Sequence, residues 1–345
     1  MKIKREDFGT LSTGEKVSIY TISNDNMSFS VTDFGCVITS IIVPSKTGLK
    51  QDVVLGYSTL NGYTDHAGPF LGAFIGRFAN RIGNASFTLN GKTYELDKND
   101  NGNTLHGGFV GYDKMLFNSQ KVKTYEGLGV RFTRTSPDGE QGFPGNVDIE
   151  VTYLLTNKNE IIIHYQAVTD KDTPINFTNH SYFNLTGNTK NTIFGHELMI
   201  DADSYLEVDA KLIPTGKKID VAGTPFDFKK RKPVGQDFDK VKGGYDHNFN
   251  LNKKGGKEVS LCAEVYEPTS GRSMSVYTDQ PGVQFYAGNS LNDEPGRWGQ
   301  VYHANTGMCL ETQAFPDSPN KKDFPSCILK PGEEFVSTTI YAFKW

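Results

Sequence analysis

Five short stretches of the chain place groups capable of proton transfer or hydrogen bonding where neither a core nor a turn needs them. Residues 176–187, N-F-T-N-H-S-Y-F-N-L-T-G, centre on His180. Read with a period of two, they put Asn176, Thr178, His180, Tyr182 and Asn184 on one face of an extended segment, and Ile175, Phe177 and Phe183 on the other. In residues 103–108, N-T-L-H-G-G, His106 precedes two glycines that let backbone and ligand approach closely. Residues 76–82, G-R-F-A-N-R-I, set Asn80 beside Arg81, and residues 244–249, G-Y-D-H-N-F, set Asp246 beside His247 after a double glycine. In residues 307–313, G-M-C-L-E-T-Q, alternation sends Met308, Leu310 and Thr312 to one strand face and Cys309, Glu311 and Gln313 to the other. A carboxylate fixed within a strand requires a partner or a task, because burying it without compensation is costly.

Each group also has a purely structural role open to it. His106 and His180 would serve as hydrogen-bonded core histidines, and Glu311 would pair with Arg77 or Arg81. Asp246, next to Gly243 and Gly244, suits a turn, and Gln284 in V-Q-F-Y (283–286) would bond a neighbouring backbone. Taken together, an Asn, an Arg, two His, an Asp, a Gln and a Glu with Tyr and Phe close by suit a polyhydroxylated ligand. Planar amides and carboxylates bind vicinal hydroxyls, and aromatic faces cover C–H surface. Rival chemistries lack their residues. H-E-L-M-I at His196 has no second His four positions on, and no phosphate loop, dinucleotide fingerprint or G-x-S-x-G elbow occurs. Cys309 shares a strand face with a carboxylate, which disfavours a thiolate. Neither a metal nor a cofactor is expected.

The elements that must hold these groups read as strands. Apolar and polar residues alternate over 17–22, 27–31, 37–43, 147–154, 160–168, 258–266 and 338–343, with turn signals such as L-N-G-K at Leu89 and S-P-D-G at Ser136 between them. No segment sustains a helical apolar stripe; one short helical turn is expected near 57–63. Many antiparallel strands without a linker or repeat predict an all-β chain, a single large antiparallel β-sandwich over 1–345 made of two big sheets packed face to face.

Composition narrows the partners. The 345 residues carry 36 basic and 40 acidic side chains, a formal charge of −4, without a Lys/Arg block, so nucleic acid is not an expected partner. The N-terminus lacks a signal-like apolar region and no long apolar run occurs, which predicts a cytoplasmic protein without a membrane segment. Cys36, Cys262, Cys309 and Cys327 are widely spaced and read as free thiols. In that compartment the N-x-S/T patterns at Asn176, Asn179 and Asn184 carry no meaning.

G-R-F-A-N-R-I, T-L-H-G-G, S-P-D-G-E-Q-G-F-P-G, T-N-H-S-Y-F-N-L, Y-D-H-N-F, Q-P-G-V-Q-F-Y and C-L-E-T-Q occur in this order between residues 76 and 313. The set resembles the aldose 1-epimerase (galactose mutarotase) family. That resemblance implies a β-sandwich of the galactose mutarotase type, a supersandwich, with an open sugar cleft, and interconversion of the α and β anomers of free hexoses such as galactose and glucose without a cofactor, by a monomer or homodimer. It implies His180 as general acid and Glu311 as general base, with Asn80, Arg81, His106, Ser181, Tyr182, Asp246 and Gln284 binding the sugar. With ordinary side-chain pKa values of ~4.3 and ~6.5, Glu311 would be ionised and His180 able to hold and release a proton at neutral pH. The chain departs from the family pattern at 292–301, where Arg297 and Trp298 are expected at one rim of the cleft. Arg77, Arg81 and Arg297 keep open a sugar phosphate as substrate; a non-catalytic sugar-binding protein is the other alternative.

Overall fold

In the computed structural model, which describes residues 1–345, the alternating segments are strands. A nine-stranded antiparallel sheet runs in the order Asn118–Lys123, Leu128–Ser136, Val147–Leu155, Glu160–Thr169, Phe335–Lys344, Ser273–Thr278, Ser260–Tyr266, Glu197–Ile200 and Lys232–Pro233. An N-terminal five-stranded sheet is built from Lys2–Thr10, Lys16–Ser23, Ser28–Thr32, Ile38–Pro44 and Lys50–Asp52. A second five-stranded sheet has the order Pro214–Asp220, Ala202–Val208, Asp246–Leu251, Gly282–Tyr286 and Cys309–Gln313. The sandwich therefore has three large sheets where alternation alone predicts two. Twist explains the division: an open sheet of about ten strands curls or splits instead of growing further.

All three sheets feed one core of 53 buried residues, among them Ile41 and Val43, Tyr165 and Tyr341, and Val283 and Leu310. The Thr312 and Thr339 hydroxyls, 2.6 Å apart, tie the second five-stranded sheet to the nine-stranded one. Local chemistry sets the turns. Asn90 and Gly91 (φ 51° and 77°) form a two-residue hairpin between Ser86–Leu89 and Lys92–Glu95, which only residues tolerant of positive φ allow. The helical turn expected near 57–63 is the α-helix Leu60–Asp65, entered from an extended Thr59.

The second five-stranded sheet positions the chemistry. In register, Gln284 lies opposite both Asn248 and Glu311, and Tyr286 opposite both Asp246 and Cys309. Residues opposite each other share a face, as do residues two apart. One face therefore carries Asp246, Asn248, Gln284, Tyr286, Cys309 and Glu311, while the other sends Phe249, Val283, Phe285 and Leu310 into the main core. A sheet with one apolar and one polar buried face needs a polar occupant above it.

Candidate active site

Above the polar face lies a cleft of about 830 Å³, within the roughly 300–1,000 Å³ of small-molecule sites. Asn80, Arg81, His106, His180, Tyr182, Asp246 and Glu311 line it; Ser181 and Gln284 do not. His180 reaches the floor because its backbone is clamped on both sides: its N–H donates to the Ala73 carbonyl (2.9 Å) and its carbonyl accepts from the Gly72 N–H (3.0 Å). Phe177 and Phe183, on the opposite side of the segment, are buried in the core.

Of the rest of the polar row around His180, Tyr182 lines the cleft but the two asparagines do not face a ligand. The Asn176 amide donates to the Ala79 carbonyl (3.0 Å) and accepts from the Ala314 N–H (2.8 Å), and the Asn184 amide donates to the Asn191 and Thr306 carbonyls (2.9 and 2.8 Å). Only Thr178–Asn179 of this segment pairs as a strand, so side-chain amides satisfy the loop groups that a sheet ladder would otherwise satisfy. Ser181 fails as a cleft residue for a related reason. Alternation turns it away from His180 and Tyr182, and its hydroxyl and N–H both bond Asn179 Oδ1 (2.6 and 3.1 Å).

Asn80 and His106 are locked to each other. The His106 N–H donates to the Asn80 carbonyl (3.2 Å), and the Asn80 N–H donates to His106 Nδ1 (3.1 Å). Both have positive φ, 65° and 52°, a conformation that Asn and His adopt more readily than most side chains. Gly107 (φ 87°) makes the crossing possible, since a Cβ there would lie 2.5 Å from the Gly76 carbonyl oxygen. With Nδ1 accepting, the neutral His106 ring carries its proton on Nε2. Asn80 Oδ1 accepts the Arg81 N–H (2.9 Å), which leaves the Asn80 amide nitrogen free to donate. Arg81 binds Asp100 through Nε (2.7 Å) and lies 3.9 Å from Asp246. Gln284, behind the lining, donates to Asp246 Oδ1 (2.7 Å) and thereby orients it.

At the floor, His180 Nε2 stands 3.7 Å from Glu311 Oε1, and Glu311 Oε2 is buried without a protein partner. Burial lowers His180 to about 4 and, with Asp246 nearby, raises Glu311 well above the usual carboxylate range against the opposing pull of Arg81. The ordinary pKa values assumed from residue type therefore do not hold; the dry floor pushes each group toward its neutral form. The proton count survives this correction. A neutral imidazole beside a carboxylic acid holds the same single proton as an imidazolium beside a carboxylate, and the two forms differ by one transfer within the pair. His106, His180 and Glu311 are also close enough to suggest a metal site, with ligand atoms within 4.8 Å of one another. The His106 tautomer argues otherwise, because it directs an N–H and not a lone pair into the space between them.

Sequence patterns missed two aromatics. Phe70, at φ 57°, has its ring 4.8 Å from His106 and 5.8 Å from His180, and Tyr286 stands 5.9 Å from Tyr182. The only signal for Phe70 is its setting in G-P-F-L-G, residues 68–72, upstream of Asn80. Two arginines kept open for a phosphate are spent elsewhere. Arg77 is buried and donates to the Pro144 and Gly145 carbonyls (2.7 and 2.8 Å) and to Ser136 (3.0 Å). Arg297, expected at the cleft rim, is instead buried against Asp52, while its neighbour Trp298 is exposed; neither lines the cleft. A guanidinium with a carboxylate partner tolerates burial where an indole needs none, so residue type did not reveal which would turn inward.

Residues 18–342 match the aldose 1-epimerase family. The chain is 45% identical to galactose mutarotase of Mus musculus over 348 residues, with 99% of each chain covered. It is 41% identical to aldose 1-epimerase of Escherichia coli over 340 residues, with 96% of each covered. Among solved structures, an aldose epimerase homologue from C. elegans superposes with a TM-score of 0.87 at 30% identity, covering 94% of this chain and 98% of that one.

Proposed function

We propose, from the premise that this chain belongs to the aldose 1-epimerase family, that its anomer interconversion runs on His180 as acid and Glu311 as base, with free hexoses such as galactose and glucose as substrates. The whole chain acts as one domain in this reading. The observation that carries it is the 3.7 Å separation of His180 Nε2 and Glu311 Oε1 at the buried floor of a polar cleft. Opening a hemiacetal takes a proton from the C1 hydroxyl and gives one to the ring oxygen, two oxygens borne by the same carbon. An acid and a base side by side suit that demand.

As the C1–O5 bond breaks, Glu311 gains the hydroxyl proton and His180 gives its proton to O5. The aldehyde turns about C1–C2, and closure on the other face returns both protons. The pair holds one proton before and after, so no outside acid or base is consumed. His106 Nε2–H, the Asn80 amide and Arg81 supply donors, and Asp246, held by Gln284, supplies an acceptor for hydroxyls away from C1. Phe70 and Tyr286 offer faces for the C–H surface of the ring. Positioning of this kind provides much of the acceleration. Gln284→Leu frees Asp246 and removes one charge-assisted bond, so KM for galactose is expected to rise about tenfold with kcat nearly unchanged. A KM within twofold of wild type would mean that Gln284 does not hold Asp246 for the sugar.

A phosphorylated hexose finds poor support, since Arg77 and Arg297 are occupied and Arg81 lies between two carboxylates. In this reading the protein works as a monomer or a homodimer. The four cysteines are free and buried, in keeping with a cytoplasmic setting; no helix is long and apolar enough to cross a membrane. The test is polarimetry on freshly dissolved α-galactose, α-glucose and glucose 6-phosphate. The expected result is rapid equilibration of both free sugars, with glucose 6-phosphate slower by at least about tenfold. No acceleration over buffer would make the protein a sugar binder, and equal rates on the phosphate would reverse the substrate class.

A further inference from the structure

Arg81 is the one cation among the proposed sugar-binding groups, and it stands between two carboxylates of which only Asp246 lines the cleft. The other, Asp100, takes no part in the reaction described above. Local sequence fixes its place. Asn101 and Gly102 (φ 50° and 87°) make a two-residue turn, across which the Asp100 and Asn103 N–H groups donate to each other's carbonyls (3.0 and 2.8 Å). Asn99 clasps Leu105 on the far side of the turn, accepting its N–H (2.8 Å) and donating to its carbonyl (2.9 Å). Leu105 in turn lies opposite Arg81 in register. Backbone contacts therefore hold Asp100 beside Arg81, and its Oδ2 accepts the Arg81 Nε–H at 2.7 Å.

We propose that Asp100 is a positioning residue: it holds the Arg81 guanidinium away from Asp246, so that both Nη groups and Asp246 Oδ2 stay open for sugar hydroxyls. This inference rests on the reading of Arg81 and Asp246 as sugar-binding groups. A guanidinium is a rigid planar fork, so a bond at Nε fixes where both Nη groups point. Arg81 Nη1 stops 3.9 Å from Asp246 Oδ2, beyond hydrogen-bond reach, and neither Nη group donates to a protein acceptor. Asp246 Oδ2 likewise accepts nothing, while Oδ1 is taken by Gln284 (2.7 Å).

An open gap between opposite charges needs something to keep it open. All three charged side chains are at most 20% exposed, so water screens them weakly and their attraction favours closure. Asp100 draws the cation back from one side, and Gln284 holds the carboxylate on the other. Once closed, the ion pair would have to be broken by each incoming sugar, and that cost would appear as weaker binding.

Asp100→Ala removes the hold without changing the cleft lining. Its crystal structure is expected to show an Arg81 Nη group closed to about 2.9 Å from Asp246 Oδ2. KM for galactose is expected to rise about tenfold with kcat within about twofold of wild type, a split that general loosening of the fold would not produce. In an Asp246→Asn background no carboxylate remains for Arg81 to close on. There the same substitution is expected to move KM by less than about twofold beyond that of Asp246→Asn itself. Asp100→Asn, which keeps an acceptor for Nε, is expected to fall between wild type and Asp100→Ala, and it carries the same tests should the alanine variant not fold. An unchanged gap in the crystal, an unchanged or lower KM, or an equal rise in both backgrounds would overturn the proposal. A wild-type KM in Asp246→Asn would instead overturn the reading of Asp246 as a sugar ligand, while the crystal structure still decides what Asp100 holds.

Discussion

Glu311→Gln is expected to lower kcat by about a thousandfold or more while KM for galactose stays within a few-fold, because a general base contributes roughly 10²–10⁴ and an amide cannot accept the C1 hydroxyl proton. The substitution is nearly isosteric, and the carboxylate it replaces is buried with one oxygen unpaired. Folding therefore does not suffer: removing a desolvated acid beside Asp246 leaves the variant at least as stable as wild type. A dead enzyme with a raised or unchanged Tm separates loss of the base from loss of structure. A rate within tenfold of wild type would remove Glu311 from the mechanism.

The same pair predicts the pH dependence of wild-type kcat. Burial favours the neutral forms, so the single shared proton is held over a broad range. The second proton goes on only as pH falls through about 4, the value to which His180 is lowered; Glu311 then remains a carboxylic acid, the base is lost and the rate drops. At the other end, the shared proton leaves only above the raised range of Glu311, and the acid is lost. With the ordinary values, the plateau would instead be bounded by ~4.3 and ~6.5 and would close on the alkaline side near neutrality. Polarimetric kcat across pH, corrected for the spontaneous rate, distinguishes the two. A fall centred near 6.5 would show that the floor does not exclude water as its burial implies.

How much of this was legible before the structure depends on the range of the interaction. Strand alternation is local, so 147–154 and 160–168 are read almost to the residue as Val147–Leu155 and Glu160–Thr169, and the shared face of Cys309, Glu311 and Gln313 follows at once. Sheet membership is not local. Phe335–Lys344 pairs with Glu160–Thr169, and nothing near either strand announces it. The same limit applies to the site. Motifs identify His180, Glu311, Asn80, Arg81, His106 and Asp246, but a motif says nothing about which way its members point. Ser181 and Gln284 sit among these residues in sequence and behind them in space, and Asn176 and Asn184 spend on backbone carbonyls the amides that looked available for a ligand. Desolvation is the least legible quantity. It depends on what three sheets jointly exclude, and it lowers His180 against the smaller, opposing effect of a backbone hydrogen bond.

Arg272 carries the largest expected effect on stability, although no sequence pattern marks it. It is fully buried, and no carboxylate lies within ion-pair distance. Its guanidinium donates to the carbonyls of Val43 and Pro44 (both 3.1 Å), Leu49 (3.0 Å), Leu185 (2.9 Å) and Thr186 (3.2 Å), and to Gln51 Oε1 (2.9 Å). Five carbonyls from two separate stretches, residues 43–49 and 185–186, thus converge on one cation, fastening the end of the N-terminal sheet to the segment that leaves His180. A methionine of similar length fills the space but satisfies none of them. Each carbonyl left without a donor costs about 1 kcal/mol or more, offset in part by no longer burying a charge, so Arg272→Met is expected to lose about 3–5 kcal/mol. For a chain of this size that corresponds to a fall in Tm of roughly 5–15 °C. Arg272→Lys should recover only part of the loss, since an ammonium has three donors and cannot reach both stretches in one plane. Enzyme that remains folded at 25 °C should keep its kcat, because the catalytic pair is held by other contacts. Thermal and urea unfolding of both variants decide the matter: a Tm within about two degrees of wild type for Arg272→Met would show that the two stretches satisfy their carbonyls without it.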